Sequence, residues 1–251
     1  ESNFKGCIIT GMDRWSGKVA VVTGASIGIG AAITEALVRA GIRVVGVGRR
    51  VQRIRELATK LKSQKGTLHP MECDIRKEED VLRVFQWTEK ELGGVDILVN
   101  NAGFLTPDCT ENFRKIMEVN VIGVAICTRE AVRSMRKHRR PGHIININSN
   151  VGHHAEVIPM TLNLYTASKC AVTAMSHSVR NELATAKLNI KVTSISPGAV
   201  RTDMIVCAGV PEEILDRIPI LSPKDIAGAV IYALATPPNV QVLIIPIINE
   251  T

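Results

Sequence analysis

At 251 residues, with 45% hydrophobic side chains, the chain can bury one large core, and with aromatics at 3% that core has to be aliphatic. A net charge of +7 does not make it a nucleic-acid module: the densest basic stretch, Arg136-Lys-His-Arg-Arg140, has no interleaved aromatics to stack on bases and runs into the Pro141-Gly142 turn signal, so it reads as a solvated loop at a helix end. No run approaches the roughly 18 apolar residues of a membrane span. The six cysteines (Cys7, Cys73, Cys109, Cys127, Cys170, Cys207) lack any zinc-site spacing, so free thiols in a reducing, cytoplasmic setting and no metal are expected.

Residues 1–11 have no signal-peptide pattern and are expected to be a flexible leader or expression remnant, with Met12-Asp-Arg-Trp15 leading into the folded part. Residues 18–23 form a first apolar strand, followed by a glycine-rich turn and a helix over 31–40 that Gly41 closes. A strand over 43–48, a helix over 51–62 and a strand over 67–73 ending at Asp74 come next. The spacing then predicts a helix over 78–92 stopped by Gly93-Gly94, a buried strand over 96–100, and one long helix over 112–137. A strand over 143–148, a helix over 164–186 and a strand over 191–196 that ends in Pro197-Gly198 follow. A helix over 224–235 and a strand over 241–248 complete the chain. Strands regularly separated by helical patterns predict an α/β fold: a single-domain, Rossmann-type, doubly wound parallel sheet with helices on both faces, spanning 12–251.

Gly24-x-x-x-Gly28-x-Gly30 lies between a strand and a helix, the setting in which a backbone approaches a pyrophosphate and a helix N-terminus supplies N–H donors. Dinucleotide sites that hold both ribose hydroxyls place an acid about 20 residues further on. Here Gly48-Arg49-Arg50 stands at the end of the second strand, and an arginine suits a 2′-phosphate. Ser26 and Arg49, with Arg50 as helper, are therefore the expected phosphate ligands, and NADP(H) the expected cofactor. Tyr165 and Lys169 are four apart on a helix, so they share a face. A phenol titrates near pH ~10 and an ammonium beside it favours the phenolate, so the pair reads as a proton-transfer device with a lowered Tyr165 pKa.

These motifs in this order, Thr23-Gly24-x-x-x-Gly28-x-Gly30, Asn100-Asn-Ala-Gly103, Asn120, Ser149, Tyr165-x-x-x-Lys169 and Pro197-Gly198, resemble the short-chain dehydrogenase/reductase family from about residue 12 to the end. The resemblance implies Tyr165 as general acid/base and Lys169 as its electrostatic partner and a ribose ligand. It also implies Ser149 as the donor to the substrate oxygen and Asn120 as the holder of a relay water. For the cofactor it implies contacts along Gly24, Ser26, Ile27, Gly28, Ile29 and Gly30, with Arg49 and Arg50. Asp74 (on the adenine), Ile75, Asn101, Ala102, Gly103, Tyr165, Lys169, Pro197, Gly198, Val200 and Thr202 (on the carboxamide) complete that set.

Residues 200–220 are expected to form an apolar substrate lid, carrying Met204, Ile205, Val206, Val210 and Ile214. Met12-Asp-Arg-Trp, Ile126-Cys-Thr-Arg-Glu-Ala131, Gly142-His-Ile-Ile-Asn-Ile-Asn-Ser149 and Ala233-Leu-Ala-Thr-Pro237 resemble the branch of the family that includes insect NADP-dependent farnesol dehydrogenases. That likeness implies a lipophilic alcohol or ketone, an isoprenoid such as farnesol or a 3- or 17-ketosteroid. It also implies a homodimer or homotetramer packed through the helices at 112–137 and 164–186. The competing class, a non-catalytic NADP-binding sensor or scaffold, is signalled by loss of the tyrosine or lysine, and both are present.

Overall fold

The computed structural model describes residues 11–106, 112–154, 162, 164–207 and 220–248. Seven strands form one sheet: β1 (Val19–Thr23), β2 (Arg43–Gly48), β3 (Thr67–Glu72), β4 (Ile97–Asn100), β5 (Gly142–Ile147), β6 (Ile190–Pro197) and β7 (Ile244–Ile247). Their order is β3-β2-β1-β4-β5-β6-β7 and every pairing is parallel. Parallel neighbours need a crossover on one face or the other, so the central strands are buried on both sides and read as continuous aliphatic runs. All residues of β1, β4 and β5 are buried.

The helices are α1 (Gly28–Arg39), α2 (Val51–Lys60), α3 (Glu78–Leu92), α4 (Phe113–Met117), α5 (Gly123–Lys137), α6 (Leu164–Thr185), α7 (Asp203–Cys207) and α8 (Pro223–Ala235). Because side chains alternate across a strand, β1 sends Ala20 and Val22 to one core and Val19 and Val21 to the other. The first core is closed by Ile33 and Leu37 of α1 and Ile226, Val230 and Leu234 of α8. The second is closed by Val81, Val84 and Phe85 of α3 and Cys127, Ala131 and Met135 of α5.

Met12 and Trp15 are buried against the C-terminal end of α8, where Trp15 Nε1 donates to the Leu234 carbonyl at 2.8 Å. The Arg14 guanidinium donates to the carbonyls of Leu234 and Thr236, a cation on the negative end of a helix. The basic loop is tied down in a similar way: Lys137 and His138 meet Glu89 at 2.7 and 2.6 Å, and Arg140 lies 3.6 Å from Asp96. Cys73, Cys127 and Cys170 are free thiols. Among the described residues no helix is long and apolar enough to cross a membrane.

Two departures from the sequence reading bear on the site. The helix expected over 112–137 is interrupted by a π turn, Glu118–Ile122, centred on Asn120. The last strand is shorter than 241–248. It begins at Ile244, and ahead of it the Gln241 side-chain amide donates to the carbonyls of Val192 and Val242. Residues 1–10 and most of the expected lid, 208–219, lie outside the described residues, as do the expected apolar lid positions Val210 and Ile214.

Trp15 is 6% exposed and hydrogen-bonded, so Trp15→Ala removes a packed aromatic together with one of the two donors to the Leu234 carbonyl, Arg14 being the other. The substitution should cost about 3–5 kcal/mol of unfolding free energy, read from the denaturant midpoint. A change under about 1 kcal/mol would show that this segment does not seal the core.

Candidate active site

The strand order reverses between β1 and β4, and a doubly wound sheet opens a crevice at the carboxyl ends of the strands at that point. The chain bridges it with polar bonds. Asn101 Nδ2 donates to the carbonyls of Thr23 and Gly24 at 2.9 and 3.2 Å, and the backbone N–H groups of Asn101 and Ala102 both donate to Thr23 Oγ1 at 3.0 Å. The glycine loop is thus fastened to the Asn-Asn-Ala-Gly turn. Gly24 has φ +68°, and a Cβ there would come within 2.9 Å of the Ala102 Cα. A Cβ at Gly30 would run into the Gly24 carbonyl.

α1 begins at Gly28 with Ile27 as its cap, no capping side chain and no acid in the first turn, which leaves its N–H groups directed at the crevice. Thr202 stands over this helix start, its Cγ2 3.1 Å from where a Gly28 Cβ would be. Ser26 Oγ lies near Gly48 at the end of β2, and Arg49 and Arg50 beyond it are exposed.

Two residues expected to face a cofactor are otherwise engaged. The Asp74 carboxylate pairs with the Arg76 guanidinium, with contacts of 2.5 to 3.0 Å. Those bonds hold its pKa below the usual carboxylate value, with a further contribution from the Arg49 charge. The Ile75 side chain is buried against Gly123 in the second core, so only its backbone can face the crevice. Val200 is buried too, and pairs with Leu221 in an isolated bridge. Gly198 N–H is bonded to the Ile247 carbonyl at 2.8 Å, fixing the turn after Pro197 to the edge strand.

Ser149, Tyr165 and Lys169 come together at the end of β5. The Ser149 hydroxyl hydrogen-bonds the Tyr165 phenol and lies 3.3 Å from Asn150 Oδ1. Lys169 is 6% exposed, and its ammonium donates to the Ile147 carbonyl at 2.9 Å, 5.6 Å from the Tyr165 ring centroid. Burial pushes Lys169 down to about 8, so it retains its proton at neutral pH.

The expectation of a lowered Tyr165 pKa is corrected here. Burial of the hydroxyl pushes it up to about 12, and the Ser149 hydrogen bond offsets only part of that rise. A sequence shows that Lys169 is four residues away but not how far the phenol is desolvated, and desolvation outweighs the Ser149 hydrogen bond.

Asn120 is brought to the same place, and its side-chain amide is fully bonded within the protein. Its Oδ1 accepts from Phe104 N at 2.8 Å, while Nδ2 donates to the Phe104 carbonyl and to Ser168 Oγ, both at 3.0 Å. Ser168 Oγ in turn donates to the Tyr165 carbonyl at 2.6 Å. Both amide protons are used, so the side chain braces the turn after β4 against the first turn of α6. The π turn places it there, a widening common at functional sites. Thr23, Phe104 and Ser168 were not singled out for these roles. Ser168 was findable as the residue three after Tyr165, the other two only in three dimensions.

The chain has two tyrosines, Tyr165 and Tyr232, and Tyr232 is 44% exposed. In a Tyr232→Phe background, the ultraviolet signal of the ionised phenol therefore reports Tyr165 alone. No phenolate should form below about pH 10, the ordinary tyrosine value. Phenolate developing near neutrality would contradict the site described.

A family model described as short chain dehydrogenase matches residues 18–208. The farnesol dehydrogenase of Aedes aegypti is 51% identical over 239 residues, covering 92% of this chain and 95% of that protein. Dehydrogenase/reductase SDR family member 11 of Bos taurus is 45% identical over 244 residues, covering 92% and 95%. Among solved structures, a short-chain type dehydrogenase/reductase from Mycobacterium marinum superposes with a TM-score of 0.86 at 30% identity, covering 95% of this chain and 97% of that one. An alcohol dehydrogenase from the archaeon Thermococcus sibiricus, complexed with 5-hydroxy-NADP, gives 0.80 at 30% identity, covering 92% and 95%.

Proposed function

Since the chain belongs to the short-chain dehydrogenase family and is an oxidoreductase of that family, we propose that it interconverts a lipophilic alcohol, of the farnesol type, and its carbonyl with NADP(H). The observation that carries the reading is the convergence of Ser149, Tyr165 and Lys169 beside a glycine loop that can accept a pyrophosphate. Gly24, Gly28, Gly30 and the uncapped start of α1 fit the diphosphate, because side chains there would fill the space or clash. Arg49 and Ser26, with no acid at the end of β2, favour a 2′-phosphate. Lys169, Asn101 and Thr202 would hold the nicotinamide half. When bound, the nicotinamide accepts or delivers the hydride.

The chain's own residues handle the proton. Ser149 holds the substrate oxygen by its hydroxyl, and Tyr165 takes the hydroxyl proton in oxidation or returns it in reduction. Lys169 keeps a positive charge under the ring, favouring the phenolate that oxidation requires. The Met204 side chain lies over Gly103, giving the substrate side an apolar wall. The similarity to a farnesol dehydrogenase supports an isoprenoid alcohol. A homodimer or homotetramer packed through α5 and α6 belongs to the same reading.

A second reading rests on Tyr165 itself. A phenol at about 12 is protonated at neutral pH, the form that donates to a carbonyl. Reduction is therefore the alternative direction, and a lipophilic ketone such as a 3- or 17-ketosteroid, which the family resemblance implies, is the alternative substrate.

Three measurements test the proposal. Tyr165→Phe should lower turnover of farnesol with NADP by about 10²–10⁴-fold without unfolding the chain. Arg49→Ala should raise KM for NADP about 10–100-fold and leave KM for NAD unchanged. Equal effects on both cofactors would remove the 2′-phosphate assignment. Oxidation needs the deprotonated phenol, so its rate should climb as pH rises from neutral into the alkaline range, while reduction should not climb. A flat oxidation profile would exclude Tyr165 as the base.

A further inference from the structure

We infer that Thr173 and Asn148, neither of which touches the reacting atoms, are positioning residues that set Ser149 against Tyr165 and Lys169. The inference rests on the reading of those three residues as the proton-transfer group.

Among the described residues, the buried positions of α6 are mostly polar. Its buried residues are Ser168, Lys169, Val172, Ser176 and Leu183, three of the five polar. Tyr165, Lys169, Thr173 and Ser176 follow one another at helical spacing along one face. Opposite them, β5 and its extension present Asn146 and Asn148, alternate residues on the same side of the strand, 3% and 4% exposed.

Three bonds join the two elements. Lys169 Nζ donates to the Ile147 carbonyl at 2.9 Å, Asn148 Nδ2 to Thr173 Oγ1 at 2.8 Å, and Asn146 Nδ2 to Ser176 Oγ at 2.9 Å. Apolar contacts tolerate sliding because they have no direction, whereas these bonds define one rotation and one translation of the helix.

Thr173 does more than its neighbours. Its oxygen accepts from Asn148, and its proton is shared between the carbonyls of Gly152 at 2.9 Å and Lys169 at 3.2 Å. One hydroxyl therefore ties the residue before Ser149, the turn Asn150–Gly152 after it, and the helical turn carrying Lys169. The fit is close: a Cβ at Gly152 would lie 2.8 Å from the Lys169 carbonyl and 2.9 Å from Asn148 Nδ2. Both flanks of Ser149 are fixed by a side chain one helical turn from Lys169.

The test compares Thr173→Val, which keeps the shape and loses the hydroxyl, with Thr173→Ser, which keeps it. Each is made in the Tyr232→Phe background and assayed for farnesol oxidation with NADP, for NADP KM, for the Tyr165 phenolate signal and for thermal stability. A misplacement of about 1 Å can cost on the order of 10²-fold in rate, so Thr173→Val should lose kcat on that scale while KM for NADP moves less than about threefold. Its Tyr165 titration should shift, and Thr173→Ser should recover most of the rate.

Two results would overturn the inference: a valine variant less stable but unchanged in kcat and in the titration, or a serine variant as impaired as valine. If Thr173→Val does not fold, Asn148→Ser, which shortens the donor and leaves Thr173 bonded to Gly152, is read by the same criteria. Wild-type protein that does not turn over farnesol counts against the substrate assignment. The phenol titrations of the variants still decide the positioning role.

Discussion

A lysine ammonium buried in an aliphatic domain is costly unless something holds it, and much of the site follows from how Lys169 is held. Burial alone pulls its pKa to about 8, and its protein hydrogen bond goes to the Ile147 carbonyl, a strand-end group that the sheet ladder has already fixed in place. That bond lays α6 across the end of β5 and puts the Tyr165 ring over the charge. The same burial that lowers the lysine also raises the phenol, to about 12. The two shifts run in opposite directions from one cause, and a site with both is poised for proton transfer in place of carrying a standing phenolate.

The rest of the fold brings two independently wound halves to this point. β1 with the glycine loop belongs to one half and β4, β5 and α6 to the other, and they meet where the strand order reverses. Thr23 and Asn101 bridge the halves with backbone-directed bonds. Asn120 joins the turn after β4 to α6 through Phe104 and Ser168. Polar side chains inside an aliphatic domain are thereby concentrated where register matters, and the two hydrophobic cores on either side of the sheet supply bulk stability.

Much of this was legible in the amino-acid order. The central strands, buried on both faces, show as short aliphatic runs, and they were read together with the partly exposed edge strands β3 and β7, the glycine turn and the Tyr165–Lys169 pair. The π turn at Glu118–Ile122 was not, because one extra residue per turn leaves the helical apolar pattern nearly intact. The direction of the Tyr165 shift was missed because spacing reveals a neighbour but not the degree of desolvation. Asn120 was assigned from likeness to a bound water, and its bonds to Phe104 depend on a turn 16 residues away. The alternation of Asn146 and Asn148 within an isoleucine-rich strand was the one visible sign of a polar rivet. Only the structure supplied its partners, Ser176 and Thr173.

On the proposed function, this site passes hydride between a lipophilic alcohol and a nicotinamide while Tyr165 handles the proton. That function is tested most directly by incubating the protein with NADP and farnesol deuterated at its carbinol carbon, then examining the reduced cofactor by mass spectrometry. Wild-type reactions should place one deuterium on the nicotinamide, and Tyr165→Phe should form about 10²–10⁴-fold less of the labelled cofactor in the same time. Reduced cofactor that carries no deuterium, or label transfer undiminished in the phenylalanine variant, would contradict it.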